Sequence, residues 1–461
     1  VKYQEYVAQG KIDEEGLYKD EISSTEDMSN YVHITLGTNK KNLDVTYYLD
    51  KELQNPIDAD EVYINPGDGL YAKVAVSDEV YTKYFTSNGM DIEDARNFIF
   101  SGCLDANVPT RTRTTGFLFF VIPLAFEIFM HDGFCPRTQE MVGIKTGDVT
   151  KFETFEEFKQ AFYKQLDYLL GLGCERNNIE CSFVRREYPS IFPSALMVDG
   201  VKSGRPVHER TMKPMDNGAC MCMVGGIDTA DSLTAVRKLV YEEKKYTMKQ
   251  VCDALEANWV GYEDMRKDFV EAPKYGNDLD EPDLMVADLY DHFTDALYPI
   301  PHVYGDHYRP AGISISAHGP GGELTGALPN GHYAMECLTD GCMSPARGAD
   351  KNGPLAVFKS AMKVNQDAYQ ATLMNMKFSP TALKSDEDKM KLAQALKIYL
   401  TEGGRQVQFN VVNAADLLDA KEHPEDHKEL IVRVAGYSAY FTALTNNIQD
   451  EVIGRTEFQK V

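Results

Sequence analysis

The sequence has no apolar run long enough to cross a membrane as a helix, which takes roughly 18 or more such residues. Its strongest run, Phe117 to Met130 (FLFFVIPLAFEIFM), has 14 residues and carries Pro123 and Glu127 inside it. That length predicts a buried core element. Basic charge is scarce: 47 Lys and Arg face 71 Asp and Glu, a net charge of −24. Such a field repels phosphate backbones and anionic lipid, which argues against nucleic acid and membrane partners. The nine cysteines show no C-x-x-C…C-x-x-C zinc pattern; only Cys220 with Cys222, and Cys337 with Cys342, lie close together. With no secretion signal visible, a reducing cytoplasm is the expected compartment. Gly and Pro are at ordinary usage, and no internal repeat is visible.

What is present alternates strand and helix patterns separated by glycine turns, which predicts an α/β fold. Thr154-Phe155-Glu156-Glu157 is a capping box, followed by Phe155, Phe158, Phe162, Leu166, Leu169 and Leu170 on one helical face; Gly171 and Gly173 are expected to end that helix. Ile313, Ile315 and Ala317 read as a short strand. The glycine-rich HGPGGELTGALPNG, His318 to Gly331, is the best internal boundary, dividing the chain at 330/331. Ser385 is expected to cap a helix through Leu400. Gln406 to Val412 and Leu430 to Val434 read as strands, and the last helix as about Ala439 to Ile453.

Two positions can carry chemistry. Cys103, in SGCLDANVP, sits on a loop after Gly102, with Asp105 two residues on and so on the same side of an extended chain. A cysteine is a nucleophile or hydrogen donor, although an isolated one is more often a buried apolar side chain. Gly436 leaves an apolar strand in RVAGYS. A glycine there is ordinarily a turn. A glycine Cα radical, however, can flatten fully and be stabilised by the amide on one side and the carbonyl on the other.

Taken together these positions resemble the glycyl radical enzymes, the pyruvate formate-lyase superfamily. The matching text is ARNFIFSGC at 95–103, DKNGP at 350–354, NMKFSPTAL at 375–383, GGRQVQFNVV at 403–412 and RVAGYSAYF at 433–441. The resemblance runs from about residue 30 to the end. It implies the C-terminal part of a ten-stranded α/β barrel with inward cysteine and glycine loops. Residues 1–330 would belong to the barrel and 331–461 to the glycine radical domain. Gly436 would store the radical and Cys103 would form a transient thiyl. Family chains place the cysteine loop near mid-chain, whereas 102 residues precede Cys103 here, so the first half-barrel is expected to be missing.

Family members that eliminate water, amine or sulfite carry Gly-Cys-x-Glu, and arylacetate decarboxylases a similar Cys-x-Glu; here Asp105 stands in the Glu position, one methylene shorter. Leu104 excludes the adjacent cysteine pair of pyruvate formate-lyase itself. Arg111 and Arg113 are candidates to clamp a substrate carboxylate, which favours decarboxylation of a small carboxylic acid, aryl acids included. A dehydratase or C–N/C–S lyase with Asp105 as base is the alternative, as is an inactive fragment. Ser194 and Asp199 are further substrate-facing candidates. His131 reads as a capping or core residue, and His302, His307 and His318 fit no ligand spacing. No metal or organic cofactor is expected to be bound. The expected partners are a radical S-adenosylmethionine activating enzyme, a small-molecule substrate and further copies of the chain.

Overall fold

The computed structural model describes residues 72–101, 104–109, 111–112, 117–196, 200–206, 219–304 and 307–461. It also gives the strands Leu17–Lys19, Tyr31–Leu36, Leu43–Tyr48 and Pro56–Ile57, an antiparallel four-stranded sheet, and Tyr63–Ile64.

The apolar run that opened the sequence reading divides in two. Phe117–Val121 is a strand, and the chain turns at once into the helix Ile122–Met130, with Pro123 in its first turn, where a missing N–H costs nothing. In chain order the strands that position the site are β1 (Ala72–Val76), β2 (Ile99–Ser101), β3 (Asp105–Asn107), β4 (Phe117–Val121), β5 (Cys220–Val224), β6 (Arg309–Ala311), β7 (Asn375–Phe378), β8 (Gln406–Val411), β9 (Ile431–Arg433), β10 (Ser438–Tyr440) and β11 (Glu457–Phe458).

β4, β5 and β6 run parallel, Cys220 lying opposite both Phe117 and Arg309. β7, β8 and β11 are also mutually oriented in parallel through β7, and β1 joins β8 antiparallel, Gln406 opposite Val76. A parallel bridge between Gly312 and Thr372 connects the two sheets. Gly312 is obligatory at that crossing: a Cβ there would lie 1.7 Å from Cys342 Sγ. Every residue of β5 is buried, as expected of a parallel strand covered on both faces. Helices Phe155–Glu187, Gly226–Val236, Asp280–Leu297 and Asp386–Thr401 fill the crossovers and pack on one large core. The architecture is α/β, and its described strands do not close into a barrel.

Several expectations are corrected. The capping box at Thr154 forms in full, but the helix passes straight through Gly171 and Gly173 to Glu187. Two interior glycines cost about 1 kcal/mol each, and burial of Phe158, Phe162, Leu166, Leu170 and Cys174 outweighs that. Ile313 and Ile315 are not a strand: Ile315 has φ 55°, and the ladder stops at Ala311. The final helix is shorter, Asn446–Gly454, because Ser438–Tyr440 turns back as β10 to pair with β9.

Candidate active site

The helix Ile92–Ala95, capped by Asp91, delivers the chain into β2. β2 pairs antiparallel with β3, Ser101 opposite Asp105, so the connection between them is Gly102-Cys103-Leu104. Asp105 is 3% exposed. One carboxylate oxygen accepts from Gln370 Nε2, the other from Asn107 Nδ2 at 2.9 Å. Asn107 Oδ1 accepts in turn from Thr112 Oγ1 at 3.0 Å. Both oxygens thus act as acceptors, the role an ionised carboxylate offers. On the far side of Gln370, Cys220 Sγ donates to Oε1 at 2.9 Å. Burial, and then the nearby Asp105 charge, push the Cys220 thiol well above the ordinary thiol range. The backbone of Gln370 is fixed by Arg405, whose Nη2 donates to its carbonyl at 2.7 Å while the guanidinium lies 3.9 Å from the Tyr81 ring centre. The Tyr81 hydroxyl donates to Leu104 O at 3.4 Å.

Gly436 lies in the turn between β9 and β10, where Val434 N donates to Tyr437 O at 2.9 Å. It is buried, and its φ of 87° lies in the region open to glycine and strained for any other residue. Arg433 folds its guanidinium over the turn, with Nη2 3.3 Å from Gly436 O, Nη1 3.2 Å from Ser438 Oγ and Nε 2.8 Å from Gln408 Oε1.

The two hairpins converge. Leu104 and Ala106, which follow Cys103 in the sequence, belong to one apolar cluster with Ala435, the neighbour of Gly436, across more than 300 residues of sequence. Cys103, Arg113 and Asp199 lie outside the described residues. Arg111 is not brought to this place: it is 48% exposed, with Nε 2.8 Å from Asp94. Ser194 is buried in the short helix Ile191–Leu196, its hydroxyl donating to Ser190 O. His131 closes the helix Ile122–Met130 and bonds Glu127 O at 2.8 Å, the capping role expected. Among the described residues no cluster of His, Cys, Asp and Glu could hold a metal ion. Gln370 and Cys220 were not visible as site residues in the sequence. They lie 265 and 115 residues from Asp105, and no local spacing connects them.

The family model described as Pyruvate formate lyase-like matches residues 69–322, and that described as Glycine radical matches residues 339–442. The chain belongs to the glycyl radical enzymes of the pyruvate formate lyase-like family. It is 34% identical over 372 residues to a trans-4-hydroxy-L-proline dehydratase from Clostridioides difficile, covering 80% of this chain and 46% of the relative. It is 31% identical over 400 residues to an indoleacetate decarboxylase from Tractidigestivibacter scatoligenes, covering 81% and 45%. The crystal structure of the C. difficile hydroxyproline dehydratase with trans-4-hydroxy-L-proline bound superposes with a TM-score of 0.80 at 32% identity, covering 83% of this chain and 48% of that one. This glycyl radical family chain therefore spans about half the length of the curated relatives it matches. Among its described residues no helix is long and apolar enough to cross a membrane.

Proposed function

We propose that the chain carries the radical-bearing part of a lyase that eliminates a group from a small hydroxyl- or amine-bearing substrate. In this reading Gly436 stores the radical, Cys103 relays it, and Asp105 is the base. The observation behind Asp105 as the base is its buried carboxylate, two residues after Cys103 and oriented by two amide donors. The shared apolar cluster of Leu104 and Ala435 supports the pairing of the two loops.

Cys103 S–H passes its hydrogen to the Gly436 Cα radical and becomes a thiyl. The thiyl takes a hydrogen atom from a substrate carbon that bears a hydroxyl. Asp105 accepts that hydroxyl's proton, which raises electron density on the carbon radical and expels the group on the neighbouring carbon with its bonding pair. The proton leaves with the expelled group, the product radical recovers a hydrogen from Cys103, and Gly436 is restored as the store. A positioned base of this kind contributes about 10² to 10⁴ in rate. Gln370 and Asn107 hold the carboxylate so that little reorganisation is needed. The first radical would be installed by a radical S-adenosylmethionine activating enzyme; no cofactor is then needed in the chain itself.

Decarboxylation of an aryl acid calls for a carboxylate clamp, and Arg111 is turned to Asp94 instead. With Arg111 so engaged, and Arg113 outside the described residues, we favour elimination. Anaerobic activation followed by product analysis over panels of vicinal hydroxy compounds and aryl acetates tests the choice. Carbonyl or imine products that disappear with Asp105→Asn are expected. Release of carbon dioxide from an aryl acetate, undiminished by Asp105→Asn, would overturn the reading.

A further inference from the structure

The hairpin β9/β10 that carries Gly436 pairs only with itself among the described strands. Its attachment to the body is made by side chains. Asn410 closes on Arg433, accepting from its N–H at 2.7 Å and donating to its carbonyl at 2.8 Å. Asn375 Nδ2 donates to Val434 O at 2.8 Å. A further attachment comes from Arg455, which follows the helix Asn446–Gly454 and lies 13 residues beyond position 442, the end of the Glycine radical match. Its Nη1 donates to Arg433 O at 3.1 Å and its Nη2 to Val434 O at 2.8 Å.

Arg455 is itself held. Its Nε and Nη2 meet the two carboxylate oxygens of Glu451 at 2.8 and 2.7 Å, and Asp340 Oδ2 lies 3.7 Å from Nη2. Glu451 is fully buried, with His318 Nε2 3.6 Å away. Burial alone would raise the Glu451 carboxyl, but Arg455 and His318 hold it well below the usual carboxylate range. Burial likewise works against the Arg455 charge, and Asp340 and Glu451 more than offset it. The guanidinium is therefore a charged plate clamped on one edge by a carboxylate and presenting its other donors to two successive carbonyls.

We propose that Arg455 is a positioning residue for the radical glycine: by fixing the carbonyls of Arg433 and Val434 it sets where the Gly436 Cα stands relative to the cysteine turn. This rests on the reading of Gly436 as the radical store. The requirement is for the fork, not the charge. A lysine ammonium is a single point and cannot keep Glu451 while bonding both carbonyls in one plane. Hydrogen transfer between sulfur and carbon needs near-contact approach, so a small displacement of this turn slows the relay while leaving substrate affinity alone.

The test compares the wild-type protein with Arg455→Lys and Asn375→Ser. One arm is hydrogen exchange of the backbone amides of residues 431–440, which needs no activation. The other is electron paramagnetic resonance after anaerobic activation, with turnover expressed per spin. Arg455→Lys is expected to speed exchange at Val434 by about tenfold or more, to alter the α-hydrogen splitting of the radical, and to lower kcat per spin by about tenfold with KM unchanged. Asn375→Ser, which removes the amide that donates to Val434 O and Asp340 and accepts from Gln408, should act in the same direction by a few-fold. Exchange rates, splitting and kcat per spin all at wild-type values in Arg455→Lys would overturn the proposal. If that variant does not fold, Glu451→Gln, which loosens the clamp on Arg455, takes its place, and wild-type values there overturn the proposal equally. If the wild type forms no spin at Gly436, the reading of the radical site fails, and the exchange arm still decides whether Arg455 holds the turn.

Discussion

The β2/β3 and β9/β10 hairpins are fastened by different balances of apolar and polar contacts. The cysteine hairpin is embedded in rings: Tyr81 stacks on Phe98 with centroids 5.1 Å apart and meets Phe100 edge-on at 5.2 Å, while Phe85 lies 6.2 Å from Phe98. The glycine hairpin is fixed by buried amides and charges, from Asn375, Asn410, Gln408 and Arg455. Apolar packing is nearly non-directional and tolerates small shifts. Bidentate charged bonds fix orientation. If Cys103 and Gly436 act as proposed, the relaying group is carried on the more compliant mount and the stored radical on the stiffer one.

The sharpest way to break this pairing is to remove each partner separately. Gly436→Ala should abolish the spin signal and all turnover, since φ of 87° is strained for alanine and a Cβ opposes a planar radical. Cys103→Ala should retain the signal and lose turnover; spin quantification beside product assays separates the two. Next in size, Asp105→Asn should keep the spin and lower kcat by about 10² or more. On the compliant side, Phe85→Ala should cost about 4 kcal/mol of stability in denaturant unfolding, because the side chain is fully buried.

The smallest effect is expected behind the stiff mount. Asp350, within DKNGP, accepts from the Thr456 hydroxyl, and burial pushes its carboxyl up to about 6. Because the folded-state value lies above that of the unfolded chain, the native state holds its proton where the unfolded chain has lost it. Stability therefore falls as pH rises from about 4 to about 6. Asp350→Asn should remove this slope and gain up to about 3 kcal/mol near neutral pH, read as melting temperature against pH.

Much of this was legible along the chain wherever the controlling interaction is local. The Thr154 and Ser385 caps, the strand through Gln406 and the turn at Gly436 all appear where short-range spacing placed them. The extension of the helix past Gly171 and Gly173 was not, because packing on residues far away decides it. Ala439 and Tyr440, where the sequence predicts the start of the last helix, are strand because the partner β9, rather than their own composition, sets their conformation. In the site, Cys103, Asp105 and Gly436 stood out through motif and chemistry. Gln370 and Cys220 reach Asp105 only through folding. Arg455 and Glu451 did carry a local hint, a Glu four residues ahead of an Arg, but that spacing marks many solvent-facing pairs and says nothing about burial.

If Gly436 stores a radical as proposed, the polar fastening of its turn decides how cleavage of the backbone there by oxygen would look. A backbone scission at Gly436 would leave 25 residues on the distal side. Those residues include Tyr440 and Ala439, paired to Ile431 and Val432, and Arg455, gripping Arg433 and Val434. The broken chain would stay assembled. A denaturing gel would reveal two pieces where a native one shows a single body, so poisoned and healthy molecules would share the same outline.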